Sequence, residues 1–207
     1  MSTIRFYKVN DPFGFFSNFA AYPIVIGSQI WKTTEHYFQA QKFEDQEVQK
    51  RIQAIESPMK AALEGRNRTY TLVSNWEMIK EEVMLKALRA KFFQHPELTR
   101  ELLETGDALL IEHTVNDHYW GNGGDDSGKN RLGHLLMEVR IELKQLCPDQ
   151  DCVLPPWIAF PDIDSSDLFW KMGRGEDYLM DMVKSYRKDP KTYELRFPAP
   201  SSWKEFY

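Results

Sequence analysis

The sequence predicts a mainly α protein with a small β element at its N-terminus. Two patterns carry that expectation. Apolar residues recur at three- and four-residue spacing from Thr34 to Leu146, whereas β-rich runs are confined to the first third of the chain. A third observation bounds the size: 207 residues, 42% hydrophobic and 14% aromatic, can bury a real core in one domain or in one domain with an appended segment.

The elements follow in order. "IRFYKV" and "YPIVIG" are β-rich, and "SQIW" after Gly27 closes a small hairpin. Thr33 or Thr34 can cap a helix running through "EHYFQAQKF". Val48, Ile52 and Ile55 form one stripe of the next helix. Ser57-Pro58 starts another that Gly65 is placed to stop. Trp76, Ile79, Val83, Met84, Ala87 and Leu88 mark a long amphipathic helix, and Pro96 opens one that buries Leu98, Leu102 and Leu103. The last strong pattern has Leu132, Leu135, Leu136, Val139, Leu143 and Leu146 on one face.

After Cys147 the texture changes: seven of the eleven prolines lie in residues 148–207. Trp157, Trp170 and Trp203 lie there too, which argues against disorder. We therefore divide the chain into residues 1–147 and an extension, 148–207, packed on them, with two short helices broken at Gly173-Arg174-Gly175.

Composition excludes several classes. A net charge of −5 disfavours sequence-independent nucleic-acid binding, which needs a basic surface. No apolar run is long enough for a membrane span, and "MSTIRFYKVN" lacks the apolar core of a signal peptide. Cys147 and Cys152 are expected as reduced thiols, and the cytoplasm as the compartment. The five histidines show neither H-x-x-x-H nor H-E-x-x-H spacing, so no metal is expected.

Three features hold candidate chemistry. In "GNGGDDSGKN", Gly123, Gly128 and Lys129 match a phosphate-loop frame, but Asn130 replaces the Ser or Thr that would hold Mg²⁺. Asp125 and Asp126 would also repel a polyphosphate. In the helix after Thr34, Glu35, Gln39 and Lys42 fall within about 60° of one another. This polar stripe is either a site or a solvated face, and the helix dipole favours an ionised Glu35. The segment around Asp117, Tyr119, Trp120 and Asn130 suits a ligand loop or a plain glycine-rich loop with Asn130 as helix cap. Arg66 is a phosphate clamp or a surface residue.

Five motifs occur in order: "FFSNF", "WKTTEHYFQAQKF", A-x-x-x-G-R ending at Arg66, M-x-x-A-L-x-x-K-F from Met84, and "NDHYWGNGGDDSGKNRLGHLLM". Together, over about residues 4–146, they resemble the NADAR (YbiA-like) family. The resemblance implies a YbiA-like multi-helical fold and hydrolysis of N-glycosidic bonds without a cofactor. YbiA-like members are linked to cleavage of reactive phosphorylated intermediates of riboflavin biosynthesis, with release of ribose 5-phosphate. Other members remove ADP-ribose from modified guanine bases, which would make ADP-ribosylated nucleic acid a partner instead of a small ribosyl phosphate. Carried over by motif, Glu35 is the catalytic carboxylate, with Asp117 next in line. Asn18, Lys42, Arg66, Asp117, Trp120 and Asn130 would line the pocket.

Those residue types suit the chemistry. Cleavage passes through an oxocarbenium-like state that a carboxylate stabilises while it activates water. Trp120 would stack on the base or cover the sugar, Lys42 and Arg66 would fix phosphate, and the glycine loop would form a backbone wall. A nucleotide sensor without turnover is the reading from another class, and Glu35 argues against it because a carboxylate there would repel phosphate.

Overall fold

The alternating run at the N-terminus forms strand β1 (Thr3–Phe6), yet its partner lies a hundred residues away. In the computed structural model, which describes residues 2–148 and 152–206, β1 pairs in parallel with a strand at Leu109–Glu112, in the register Thr3↔Leu109 to Phe6↔Glu112. The expectation that strands stop in the first third is thus corrected. "LLIE" is too short for a sequence period to declare itself, and parallel pairing to β1 is what makes it a strand. The predicted hairpin comprises β2 (Ile24–Ile26) and β3 (Gln29–Trp31), turning at Gly27 with φ 60°.

Helices α1 (Thr34–Ala40), α2 (Gln46–Ala54), α3 (Pro58–Glu64), α4 (Trp76–Gln94) and α5 (Pro96–Glu104) follow. The distant strand is β4, and α6 (Arg131–Leu146) comes after it. The mainly α fold is as expected. Helix α4 is the axis of the molecule, packing against α1, α5, α6 and β2. One apolar cluster surrounds α4, α5 and α6; a second, with Ile24, Trp31, Tyr37, Phe43, Val48 and Ile52, lies under α1–α3.

The segment after Leu154 joins the first cluster. It contains α7 (Pro156–Ala159), a 3₁₀ turn (Leu168–Lys171), α8 (Arg174–Lys188), α9 (Pro190–Arg196) and a final 3₁₀ turn (Ser201–Phe206). Phe160, Trp170, Tyr178 and Trp203 are buried. Gln94 at the end of α4 ties the pieces together, donating to Val25 O at 2.7 Å and to Ala159 O at 3.0 Å. The helix break falls at Met172-Gly173, while Arg174 and Gly175 belong to α8. Gly175 is there for proximity, since a β-carbon would sit 2.0 Å from Phe169 O.

Cys147 and Cys152 are joined in a disulfide, contrary to the expected free thiols. Their Cα atoms lie 5.5 Å apart, within bridging range, a proximity that spacing alone could not decide. Among the described residues no helix is long and apolar enough to cross a membrane.

Candidate active site

Helix α1 is only seven residues long, and every one of them is buried. Thr33 caps it, accepting from His36 N–H at 3.3 Å. The helix stops at Ala40, so Lys42 lies in the following turn and not on the helix, as the expected span had it. This short helix drives Glu35 and Gln39 into the interior, where a solvated polar face is excluded.

Glu35 is 6% exposed. Its Oε1 accepts from the Gln39 amide at 2.7 Å, and Oε2 makes no hydrogen bond to the described residues. Its backbone N–H donates to Asn18 O at 3.1 Å. Gln39 is held in turn by the neighbouring backbone: a β-carbon on Gly65 would come within 2.0 Å of Gln39 Oε1. Thus Gly65 is needed for close approach and not for an unusual φ.

A cleft of about 240 Å³ opens in front of Glu35. Its walls include Asn18, Lys42, Arg66, Asp117, Trp120 and a residue the sequence reading overlooked, Glu112. Asn18 belongs to the "FFSNF" loop, whose carbonyls at Phe15 and Ser17 accept from the buried Lys91 ammonium at 2.5 and 2.9 Å. Burial pulls Lys91 down to about 7, while its two carbonyl acceptors favour the charged form. Asn18 itself is fixed by Thr34, whose hydroxyl donates to its side-chain oxygen at 3.1 Å.

The opposite wall is the loop after β4. Asp117 Oδ1 accepts from the backbone N–H groups of Tyr119 and Trp120, both at 2.7 Å. One carboxylate oxygen therefore shapes the loop, and the other is left for the cleft. Glu81 of α4 clamps the same loop, taking the Tyr119 hydroxyl at 2.6 Å and a two-pronged contact from Arg131. The Trp120 indole meets Phe38 edge-on at 5.4 Å.

Of the seven residues named from the sequence, six share this cleft and Asn130 does not. Asn130 adopts φ 47° before α6, and its amide bridges β4, accepting from Glu112 N–H at 2.9 Å and donating to Leu110 O at 2.8 Å. It fixes the strand that carries Glu112. The glycine loop is likewise no cleft wall. It folds on itself, with Gly128 N–H donating to Asn122 O at 2.9 Å, and Gly123 and Gly124 take φ of 73° and 82°. Those left-handed conformations account for Gly123 and Gly124, and close approach of the loop to itself accounts for Gly128.

The electrostatics are set by burial. Desolvation raises the Glu35 carboxyl above its ordinary range; the Gln39 hydrogen bond and the charges of Lys42 and Arg66 oppose this. The expected dipole-stabilised, readily ionised Glu35 is thus corrected: a fully enclosed carboxylate loses more hydration than one helix turn returns. Burial lowers Lys42 to about 8, against the charge of Glu35. Glu112 is raised to about 7, by burial first and then by Asp117 and Glu35. Three carboxyl groups and two cations thus meet in a half-dry cleft. Among the described residues no three of His, Cys, Asp and Glu are close enough to hold a metal ion.

An enclosed carboxylate beside cations and an indole is the equipment of a glycosyl hydrolase. The comparisons with known proteins agree. The NADAR domain is matched over residues 5–144, and the chain belongs to that family. It is 57% identical over 140 residues to N-glycosidase YbiA of Escherichia coli, covering 68% of this chain and 88% of that protein. An N-glycosidase of Nostoc punctiforme is 43% identical over 147 residues, 70% of this chain and 94% of the relative. A riboflavin biosynthesis protein of Vibrio vulnificus is 39% identical over 145 residues, 70% of this chain but 40% of the larger relative. The NMR structure of Escherichia coli YbiA superposes with a TM-score of 0.65 at 56% identity, covering 69% of this chain and 84% of that one. The family match ends at residue 144, before the segment that holds α8 and α9.

Proposed function

We propose that this N-glycosidase hydrolyses the ribosyl C1–N bond of reactive phosphorylated intermediates of riboflavin biosynthesis and releases ribose 5-phosphate. The observation that carries the reading is the buried Glu35 carboxylate, held by Gln39 at 2.7 Å and sharing one cleft with Lys42, Arg66 and Trp120. As the C1–N bond lengthens, positive charge develops at C1 and the ring oxygen. Glu35 stabilises that charge and takes a proton from the attacking water. Lys42 and Arg66 hold the phosphate, Trp120 stacks on the base, and the open oxygen of Asp117 accepts from a sugar hydroxyl. The names of relatives in riboflavin biosynthesis support the substrate class. We propose the cytoplasm as the compartment.

A second reading, removal of ADP-ribose from a modified guanine base, is favoured by one feature. Beyond Phe38, Lys42 and Trp120 the cleft adjoins a groove that also contains Arg68, a cation able to meet a second phosphate, and Lys80, which is paired with Glu77. Incubation of the purified protein with a phosphorylated ribosylaminopyrimidine and, separately, with an ADP-ribosylated guanine oligonucleotide tests both. Release of ribose 5-phosphate from the first at the higher kcat/KM is expected. Turnover confined to the second would exchange the readings.

A further inference from the structure

The proposed reaction needs a carboxylate at C1 and also a proton for the departing nitrogen, because an amine anion is too poor a leaving group to go unassisted. Glu35 is suited to the first task. Burial raises its carboxyl, but a hydrogen-bond donor in Gln39 and the charges of Lys42 and Arg66 stand by to hold the ionised form that the reaction uses. Glu112 is its opposite. It stands at the end of β4, its backbone pinned by Asn130, Asn122 and the register with Phe6. Its side chain lines the cleft but has neither a hydrogen bond nor an ion pair among the described residues. Its charged neighbours in the cleft are the carboxylates Asp117 and Glu35.

The two glutamates also approach from different sides. Glu35 comes from α1, with the cations. Glu112 comes from the strand that supports the tryptophan loop: a β-carbon on Gly121, next to Trp120, would lie 3.0 Å from both Glu112 O and Asp117 O. Glu112 and Trp120 line the same cleft, so a base stacked on Trp120 shares that space with the Glu112 carboxyl.

Resting on the glycosidase reading above, we propose that Glu112 is the general acid of the reaction, protonating the leaving nitrogen. Burial, with Asp117 and Glu35 close by, pushes Glu112 up to about 7, and among the described residues no donor or cation holds it ionised as Gln39 and Lys42 do for Glu35. A substrate phosphate adds negative charge and pushes it further. The protons balance. The C1–N bond breaks with its electron pair going to nitrogen, and that pair takes the proton of Glu112. Water oxygen bonds to C1 and gives a proton to Glu35. Exchange with solvent then removes the proton from Glu35 and returns one to Glu112.

A leaving-group series tests this without depending on the natural base. The probes are N-(5-phosphoribosyl)anilines whose ring substituents vary the basicity of the released aniline, with kcat measured for the wild-type chain, Glu112→Gln, Glu112→Asp and Glu35→Gln. With the acid in place the rate should depend only weakly on aniline basicity. Glu112→Gln should lose roughly a thousandfold with the most basic leaving groups and about tenfold with the least basic, a steep dependence. Glu112→Asp keeps a proton to give and should regain much of the weak dependence, which a merely structural role would not reproduce. An even loss across the series in Glu112→Gln would overturn the proposal alone. Glu35→Gln should lose evenly; wild-type rates in that variant would overturn the role of Glu35 and leave Glu112 standing. A wild-type chain that cleaves none of the series would overturn both.

Discussion

The cleft and the segment after Leu154 are both rich in buried polar atoms, and they treat them differently. Among the described residues of the C-terminal segment no buried side-chain polar atom lacks a partner. The Tyr178 hydroxyl donates to Leu154 O at 2.8 Å, the Trp170 indole to Asp164 O at 2.8 Å, and the Tyr193 hydroxyl to Val153 O at 2.9 Å. In the cleft, among the described residues, the Glu112 side chain has no hydrogen-bond partner, that of Glu35 has one, and Gln39 Oε1 is buried without any. Folding alone would favour the first arrangement everywhere. Cleft-facing carboxyls left without partners are available to a ligand, at a cost in stability that well-packed regions offset. The segment around Phe160, where Phe169, Trp170 and Tyr178 pack with ring centroids 4.8–5.4 Å apart, is such a region.

The comparison is broken most directly at Glu35. Glu35→Gln keeps the shape and the contact with Gln39 but removes the charge. We expect kcat to fall by about two to four orders of magnitude with substrate affinity retained, because the charge acts on the transition state. Steady-state kinetics with a ribosyl phosphate substrate would show it. Near-normal kcat would move the catalytic role to Asp117.

The converse substitution is Phe160→Ala, a fully buried ring in the other region. We expect a loss of about 3–5 kcal/mol of stability, read as a large drop in Tm, with kcat/KM of the folded protein changed less than about threefold. A loss of activity beyond unfolding would mean that the aromatic segment shapes the cleft through Gln94 and α4.

Legibility in the sequence divides along the same line. Long helices with regular apolar stripes, such as α4 and α6, could be read directly, because burial of one face fixes their period. Glu35 and Lys42 could be paired from spacing, but the short length of α1 could not be foreseen, nor the burial that raises Glu35. Glu112 was missed because β4 is four residues long and pairs with the distant β1. An apolar run, "ALLI", ending in an acid at the edge of a polar loop was the available signal. Asn130 was drawn into the site by its motif, yet its amide serves the backbone of β4, a contact invisible without the partner strand.

A smaller effect is expected at the phosphate end. Arg66 is exposed and its guanidinium has no hydrogen-bond partner among the described residues, so Arg66→Ala should leave Tm nearly unchanged. It should raise KM for a phosphorylated substrate by about ten- to a hundredfold, the loss of one charged hydrogen bond, and hardly affect the dephosphorylated counterpart. Equal changes for both substrates would remove Arg66 from phosphate binding.

The smallest effect sharpens the comparison most, because it measures the cost of an unsatisfied group directly. Glu112 holds its proton in the folded chain up to about 7, against an ordinary value of 4.5. Between those values the folded state binds a proton that the unfolded state has released. Stability contributed by the neutral carboxyl is therefore fully present below about pH 4.5 and declines as pH rises through 7. Glu112→Gln cannot titrate, so the variant should gain on wild type across this window, by on the order of 1–2 kcal/mol at pH 8 after allowance for partial exposure. Urea unfolding of both proteins at pH 4.5 and pH 8 gives the difference of differences, which cancels any constant effect of the amide. Phe160→Ala should show no such change with pH, since the rings packed on it are Phe169, Trp170 and Tyr178, and burial raises the Tyr178 hydroxyl well above that range. A pH-independent gap between Glu112→Gln and wild type would mean that the carboxyl ionises normally in the cleft, and that the tension there resides at Glu35 and Lys42.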